Sequence, residues 1–264
     1  MCSIINHDSD HFFWAAVPVF SREFTPLATQ RRHLRATIID LESAPDLIAL
    51  LLLRNFSFFA QRIPLPREKA PSFEATAVLN DDFTKVALSD YTSAGKWLVL
   101  FFYPFDYTFV CPTEIRSFSD AAAKFAKINT GVAAVSTDSH HTHLSWTRTA
   151  RENGGVGKLD IPLLADTGKK ISYDYGVLVT EPTDDMFGAA LRGVFIIDPS
   201  GTVRSVTVND DGAGRNVDEV LRTVQALQYA DNHEGEACPA NWKPGDKTIK
   251  TDPNGSKEFF KDWA

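Results

Sequence analysis

The chain has 264 residues, 44% of them hydrophobic and 11% aromatic, which is enough to fill the core of a large domain and excludes wholesale disorder. The net charge of -7 removes any electrostatic reason to expect nucleic acid or an anionic membrane as a partner. No apolar run exceeds the seven residues from Leu47 to Leu53, far fewer than the roughly 18 of a membrane span, and Arg54 ends it.

Residues 1–65 read as an extension, poorly structured or targeting. They hold the aromatic cluster ending at Trp14, the basic residues Arg31, Arg32 and Arg35, and the apolar run. No alanine-x-alanine cleavage site follows a short apolar stretch, so a secretory leader is not expected. The arginines suit an organellar transit peptide, but Asp8, Asp10 and Glu23 dilute them. The expected location is therefore cytoplasmic, with the mitochondrion as the alternative if the extension is a transit peptide. Ile63-Pro64-Leu65-Pro66 reads as a linker, because two prolines interrupt any regular element.

A domain is expected over residues 66–230, followed by a C-terminal arm over 231–264. The continuous apolar run Trp97 to Tyr103 predicts a buried central strand. From Pro112 to Lys127, apolar residues recur at helical spacing: Ile115, Phe118, Ala122, Phe125 and Ala126. Val132 to Val135 predicts a second buried strand. A helix is expected around Trp146, ended by Gly154-Gly155-Val156-Gly157. Val194 to Ile197 predicts a third strand, Asp198-Pro199-Ser200-Gly201 a turn, and Val203 to Val208 a hairpin partner. A last helix starts at Asn216 as cap, with Val220, Leu221, Val224 and Leu227 facing inward. Strands alternating with helices, plus one late hairpin, describe an α/β fold around a mixed central sheet.

The three cysteines, Cys2, Cys111 and Cys238, are too few and of the wrong parity for a disulfide-stapled secreted scaffold. Cys111 falls where the central strand has ended and a helix begins, with Pro112 at the expected first helical position. A sulfur there faces the positive end of the helix dipole and unpaired backbone N–H groups, which favour a thiolate. An isolated Val-Cys-Pro would equally suit a buried cysteine at a strand end. The neighbourhood argues for chemistry: Thr108 lies three residues before and can aim its hydroxyl at the sulfur, and Pro104 lies seven before and can shield it.

The segment Phe101 to Ile115, which contains Pro104-x-x-x-Thr108-x-x-Cys111, resembles the active-site segment of the typical two-cysteine peroxiredoxins. The likeness runs from about Ala70 to Phe260. It includes Gly193-Val194-Phe195-Ile196-Ile197-Asp198, Gly214-Arg215-Asn216-Val217-Asp218-Glu219 and Glu236-Ala237-Cys238-Pro239-Ala240-Asn241-Trp242. The resemblance implies a thioredoxin-like fold and a thiol peroxidase that needs no cofactor. It implies that Cys111 is the peroxidatic cysteine, oxidised to a sulfenic acid by hydrogen peroxide or an organic hydroperoxide. It implies that Thr108 and Arg192 bind the peroxide and the thiolate, that Arg151 is a second arginine of that network, and that Glu114 orients the arginines. Cys238 becomes the resolving cysteine, attacking from a partner subunit, with thioredoxin as the external reductant. A homodimer follows, and a decamer is common among relatives.

Gly154-Gly155-Val156-Gly157 and Phe259-Phe260 resemble the glycine and aromatic motifs of easily over-oxidised relatives, with valine inside the first and phenylalanine for tyrosine in the second. Cys2 matches nothing in the family pattern. His140, His141 and His143 are read as a solvated loop rather than a metal site, since no fourth ligand stands at zinc spacing. Two other readings are weaker: a ring-forming holdase or redox relay, and a thioredoxin-type disulfide reductase. The latter needs C-x-x-C, and Thr108 occupies the place of its first cysteine.

Overall fold

The structure, a computed structural model, describes residues 61–263. The aromatic cluster, the basic stretch, the apolar run and Cys2 lie outside the described residues.

Seven strands form one mixed sheet in the order β2-β1-β5-β4-β3-β6-β7. These are β1 (Glu74–Leu79), β2 (Asp82–Ala87), β3 (Trp97–Phe102), β4 (Thr130–Ser136), β5 (Leu163–Ala165), β6 (Arg192–Ile197) and β7 (Val203–Asn209). β3, β4 and β5 run parallel, and the outer pairings are antiparallel. The fold class is the one expected, an α/β thioredoxin-like architecture with a mixed sheet. Three strands of this sheet were not foreseen. The β1–β2 hairpin turns on Asn80 and Asp81, both at positive φ (53° and 61°), the backbone that a two-residue hairpin loop demands. β5 is only three residues long, below what periodicity can report.

Every residue of β3 is buried, because the strand is covered on both faces. Alternation sends Trp97, Val99 and Phe101 to one face and Leu98, Leu100 and Phe102 to the other. The first face packs against helices α2 (Cys111–Asp120), α3 (Ala122–Lys127), α4 (His140–Arg148) and α6 (Val217–Asn232). There Phe118 stacks on Phe101 with ring centroids 4.2 Å apart. The second face packs against Phe73, against Leu88 of α1 (Leu88–Thr92) and against Ile171 of α5 (Lys170–Asp174).

The helix expected from Pro112 to Lys127 divides at Ala121 into α2 and α3, with the apolar spacing continuing across the joint. Asn216 caps α6 as expected, its side chain accepting from the Glu219 N–H at 3.1 Å. The arm holds a short hairpin, β8 (Glu236–Ala237) with β9 (Ile249–Lys250), and helix α7 (Ser256–Trp263), which carries Phe259 and Phe260. The glycine motif does not end α4 directly. α4 stops at Arg148, a single 3-10 turn follows at Arg151–Asn153, and Gly154 closes that turn at φ 79°.

The expected histidine loop is corrected. His140, His141 and His143 open helix α4, which Ser139 caps by accepting from the Thr142 N–H. His143 points inward and is fully buried: Nδ1 lies 2.7 Å from Asp106 Oδ2, and Nε2 lies 3.2 Å from the Leu164 carbonyl. Tyr103 donates to the other Asp106 oxygen at 2.8 Å, and the Asp106 N–H donates to Asp138 at 2.9 Å. This buried pair fixes the loop that runs from β3 to α2. Removing one partner of such a pair strands the other in an apolar interior, so Asp106→Ala is expected to lower the unfolding free energy by about 3–5 kcal/mol. Urea denaturation measures it, and a loss under about 1 kcal/mol would mean that the pair does not anchor the loop.

Candidate active site

β3 ends at Phe102, and the loop it feeds delivers Cys111 to the start of α2. Cys111 itself takes the first helical position and Pro112 the second, one residue earlier than the sequence suggests. The preceding Val110 supplies no side-chain cap, Pro112 has no N–H to offer, and the Thr113 and Glu114 N–H groups both donate to the Val110 carbonyl, at 3.1 and 3.3 Å. Cys111 is fully buried and free.

The groups around it come from distant parts of the chain. Arg192 opens β6 and is buried, and its Nη1 donates to Cys111 Sγ at 3.3 Å and to Glu114 Oε2 at 2.5 Å. Its Nε donates to the Asp211 carbonyl at 2.6 Å, which fixes the plane of the guanidinium. Glu114, one turn along α2 from the sulfur, is buried at 3% exposure. Its Oε1 accepts from the backbone N–H and the Nε of Arg215, both at 2.7 Å, and its Oε2 also accepts from Arg215 Nη2 at 2.9 Å. Burial alone would raise the Glu114 pKa, but the hydrogen bonds and charge of Arg215, with the charge of Arg192, outweigh it and hold the carboxyl below the usual range.

Arg215 is the residue that sequence reasoning missed. It stands just before the α6 cap, and its Nη1 donates to the carbonyls of Phe102 and Gly193 at 2.7 and 2.8 Å. Its guanidinium also lies over the Phe101 ring at 5.2 Å. Burial pulls its pKa down, while the Glu114 hydrogen bonds push it back up. The neighbouring Gly214 permits the approach: a Cβ there would meet Val110 Cγ1 at 3.2 Å. The signal was present in Gly214-Arg215-Asn216, which carries part of the family likeness.

Arg151, expected as the second arginine, is not brought here. It lies exposed in the 3-10 turn after α4, and Arg215 holds the place beside Glu114. Thr108 donates its hydroxyl to the Phe105 carbonyl at 2.9 Å, which spends the proton locally and leaves the oxygen lone pairs to face outward from that bond. Pro104 is buried where the chain leaves β3. Cys238 is half-buried on a different surface. Its thiol donates to the Ala226 carbonyl of α6 at 3.6 Å, and burial raises its pKa.

The arrangement suits a nucleophilic sulfur whose charge a fixed cation stabilises, beside a carboxylate that keeps that cation in place. Comparison with known proteins agrees. The AhpC/TSA family profile matches residues 66–206, and the profile of the C-terminal domain of 1-Cys peroxiredoxin matches residues 226–262. Peroxiredoxin 2 of Drosophila melanogaster is 55% identical over 198 residues, covering 75% of this chain and 98% of that protein. The mitochondrial thioredoxin-dependent peroxide reductase of Pongo abelii is 52% identical over 226 residues, 86% of this chain and 84% of its own. The reduced 2-Cys peroxiredoxin structure from Plasmodium vivax superposes with a TM-score of 0.69 at 38% identity, covering 74% of this chain and 98% of that one. A buried cysteine at a helix start, an arginine on its sulfur and these matches along the described residues agree: the chain belongs to the AhpC/TSA family, among its two-cysteine peroxiredoxins.

Proposed function

We propose that Cys111 is the peroxidatic cysteine and Cys238 the resolving cysteine of this chain. The enzyme is a thiol peroxidase. The observation that carries the residue assignment is the contact of Arg192 Nη1 with Cys111 Sγ, with Glu114 2.5 Å from the same nitrogen. The Cys111 thiolate attacks one peroxide oxygen, so an S–O bond forms and the O–O bond breaks. The other oxygen leaves as hydroxide or alkoxide and takes a proton to become water or an alcohol. Arg192 stabilises negative charge on the sulfur before attack and on the oxygens during it. Thr108, its own proton engaged with Phe105, offers lone pairs to the peroxide O–H.

The product is a sulfenic acid, the reversible rung of cysteine oxidation. Cys238 lies against α6, bonded to the Ala226 carbonyl and not to the groups around Cys111; the likeness to two-cysteine peroxiredoxins supports a second copy of the chain as the source of the resolving thiol and a homodimer as the working unit. Phe109 and Phe83 are exposed apolar side chains, at 93% and 40%, in keeping with a larger ring of dimers. Thioredoxin, which the name of the Pongo abelii relative invokes, is the proposed reductant of the intersubunit disulfide. Among the described residues no helix is long and apolar enough to cross a membrane. Acidic residues among the early arginines favour a cytoplasmic placement, while the mitochondrial relative favours import as a second reading.

Peroxide-dependent NADPH consumption, coupled through thioredoxin and its reductase, tests the assignment. Cys111→Ser is expected to abolish turnover. Cys238→Ser is expected to consume one equivalent of peroxide and stop. Mixing the two variants should give a disulfide-linked dimer on a non-reducing gel, and turnover retained by Cys111→Ser would overturn the assignment.

Arg215→Lys loses the planar fork that Glu114 and two carbonyls engage, and Arg192 loses its reference point with it. The second-order rate of Cys111 oxidation, followed by stopped flow, is expected to fall on the order of tenfold to a hundredfold. The sign of the pH effect follows from Glu114. Its pKa is lowered in the folded chain, so the cluster's contribution to stability is present above the usual glutamate pKa and is lost as pH falls through the lowered value. The acid limb of the stability profile should therefore flatten in Glu114→Gln.

Fusing residues 1–65 to a fluorescent protein separates the two locations. Diffuse fluorescence is expected, and mitochondrial fluorescence would replace the cytoplasmic reading with import.

A further inference from the structure

The second cysteine has a charged setting of its own, which the peroxide chemistry at Cys111 does not use. The segment from Glu236 to Trp242 lies along one face of α6, held at successive turns. Arg222 Nη1 donates to the Trp242 carbonyl at 3.1 Å, Ala226 accepts from the Cys238 thiol, and Tyr229 donates to Glu236 at 2.9 Å. Arg222 and Ala226 are four residues apart, so both look out over the same strip of helix surface. Trp242 is buried at 3% exposure, with the Tyr229 ring 5.2 Å from its own.

Arg222 is held in place as well as charged. Glu219, one turn earlier, accepts from its Nε and Nη2, both at 2.8 Å. Thr223 donates to the same carboxylate at 3.2 Å. This clamp leaves Nη1 directed at the cysteine segment. The groups that act electrostatically on Cys238 are Arg222 from α6, which favours the thiolate, and Glu236 from β8, which opposes it; Tyr229 also feels the sulfur's charge. Burial and the bond to the Ala226 carbonyl favour the thiol. Arg222 is the one cation on the side of the thiolate among these named groups.

We infer that Arg222, oriented by Glu219, is a positioning residue for the second half of the reaction: it aims the Cys238 segment and stabilises the Cys238 thiolate. The inference rests on Cys238 being the resolving cysteine. In the step concerned, the Cys238 thiol gives up its proton and the thiolate attacks the sulfur of the Cys111 sulfenic acid. An S–S bond forms, the S–O bond breaks, and the departing hydroxide takes the proton to leave as water. In the return direction the reductant's thiolate attacks the disulfide, and a Cys238 leaving as thiolate meets the same cation.

Below the Cys238 pKa, removing the cation lowers the thiolate fraction more than it raises intrinsic nucleophilicity, because nucleophilicity follows pKa with a slope of only about 0.4–0.5. Disulfide formation should therefore slow at neutral pH and recover once the pH is high enough to ionise the thiol in either protein. A purely structural defect would slow it equally at every pH.

The experiment is a single-turnover quench on the reduced full-length protein. One equivalent of hydrogen peroxide is added, N-ethylmaleimide stops the reaction, and non-reducing gels count disulfide-linked dimers across pH 6 to 10. For Arg222→Gln the expected result is a deficit of about two- to fivefold at pH 7 that closes at the alkaline end. Arg222→Lys, which keeps the charge, should recover most of the rate. A deficit that stays constant with pH, or none at all, overturns the role of Arg222 and leaves the resolving assignment intact. Cys238→Ser run alongside tests that assignment: it should give no linked dimer, and a linked dimer there would overturn both. A further readout is the sulfinic acid formed on Cys111 under excess peroxide. Slower resolution prolongs the sulfenic acid, so Arg222→Gln should accumulate more sulfinic acid per turnover at pH 7 than the unaltered chain.

Discussion

The structure turns on the carboxylate of Glu114, buried between two guanidinium groups. A charge removed from water is tolerated only where partners satisfy it, and here each ion supplies the others' partners. Arg215 places three donors on the carboxylate and spends its remaining nitrogen on the carbonyls of Phe102 and Gly193. The cluster thereby joins β3, β6, α2 and the entrance to α6. Two cations against one carboxylate leave a positive charge uncompensated within the cluster, and the Cys111 sulfur is the group that Arg192 Nη1 reaches next. The field that suits a thiolate at that point is a product of the same network that holds the helix start against the sheet.

A second buried pair, Asp106 with His143, works on the loop rather than on the sulfur. It ties the segment between β3 and α2 to α4 and to the middle of β5, so Pro104 and Thr108 sit on a chain fixed at both ends. The glutamate cluster thus holds a cation against the sulfur, while the aspartate–histidine pair sets the geometry of the loop in front of it. The Cys238 segment is built differently, on the outer face of α6, where its thiol makes a weak bond to a helix carbonyl. In the proposed resolving role the sulfur leaves one site for another, and such a tether serves that better than burial in the core.

Much of this was legible in the chain itself. A continuous apolar run has one reading, a strand covered on both sides, and β3 is that strand. Asn216 as a cap and Asp198-Pro199-Ser200-Gly201 as a turn depend on local hydrogen bonds, so sequence neighbours suffice to identify them. Cys111 before a proline at a strand-to-helix junction is also a local pattern.

What tertiary structure decided was which distant charges meet. The linear text led to Arg151 as the second arginine, although Arg215 also stands in a segment that carries the family likeness, because local sequence does not show which of them reaches Glu114. Arg215 lies 101 residues from Glu114, and it arrives because the loop before α6 returns across the end of β3. His143 carries the same lesson: its neighbours His140 and His141 suggest a solvated stretch, but the helical turn that begins at Ser139 rotates its ring into the interior. Local sequence determines an element because its hydrogen bonds close within a few residues. An ion pair between elements depends on how the sheet and helices pack, and only the folded chain contains that information.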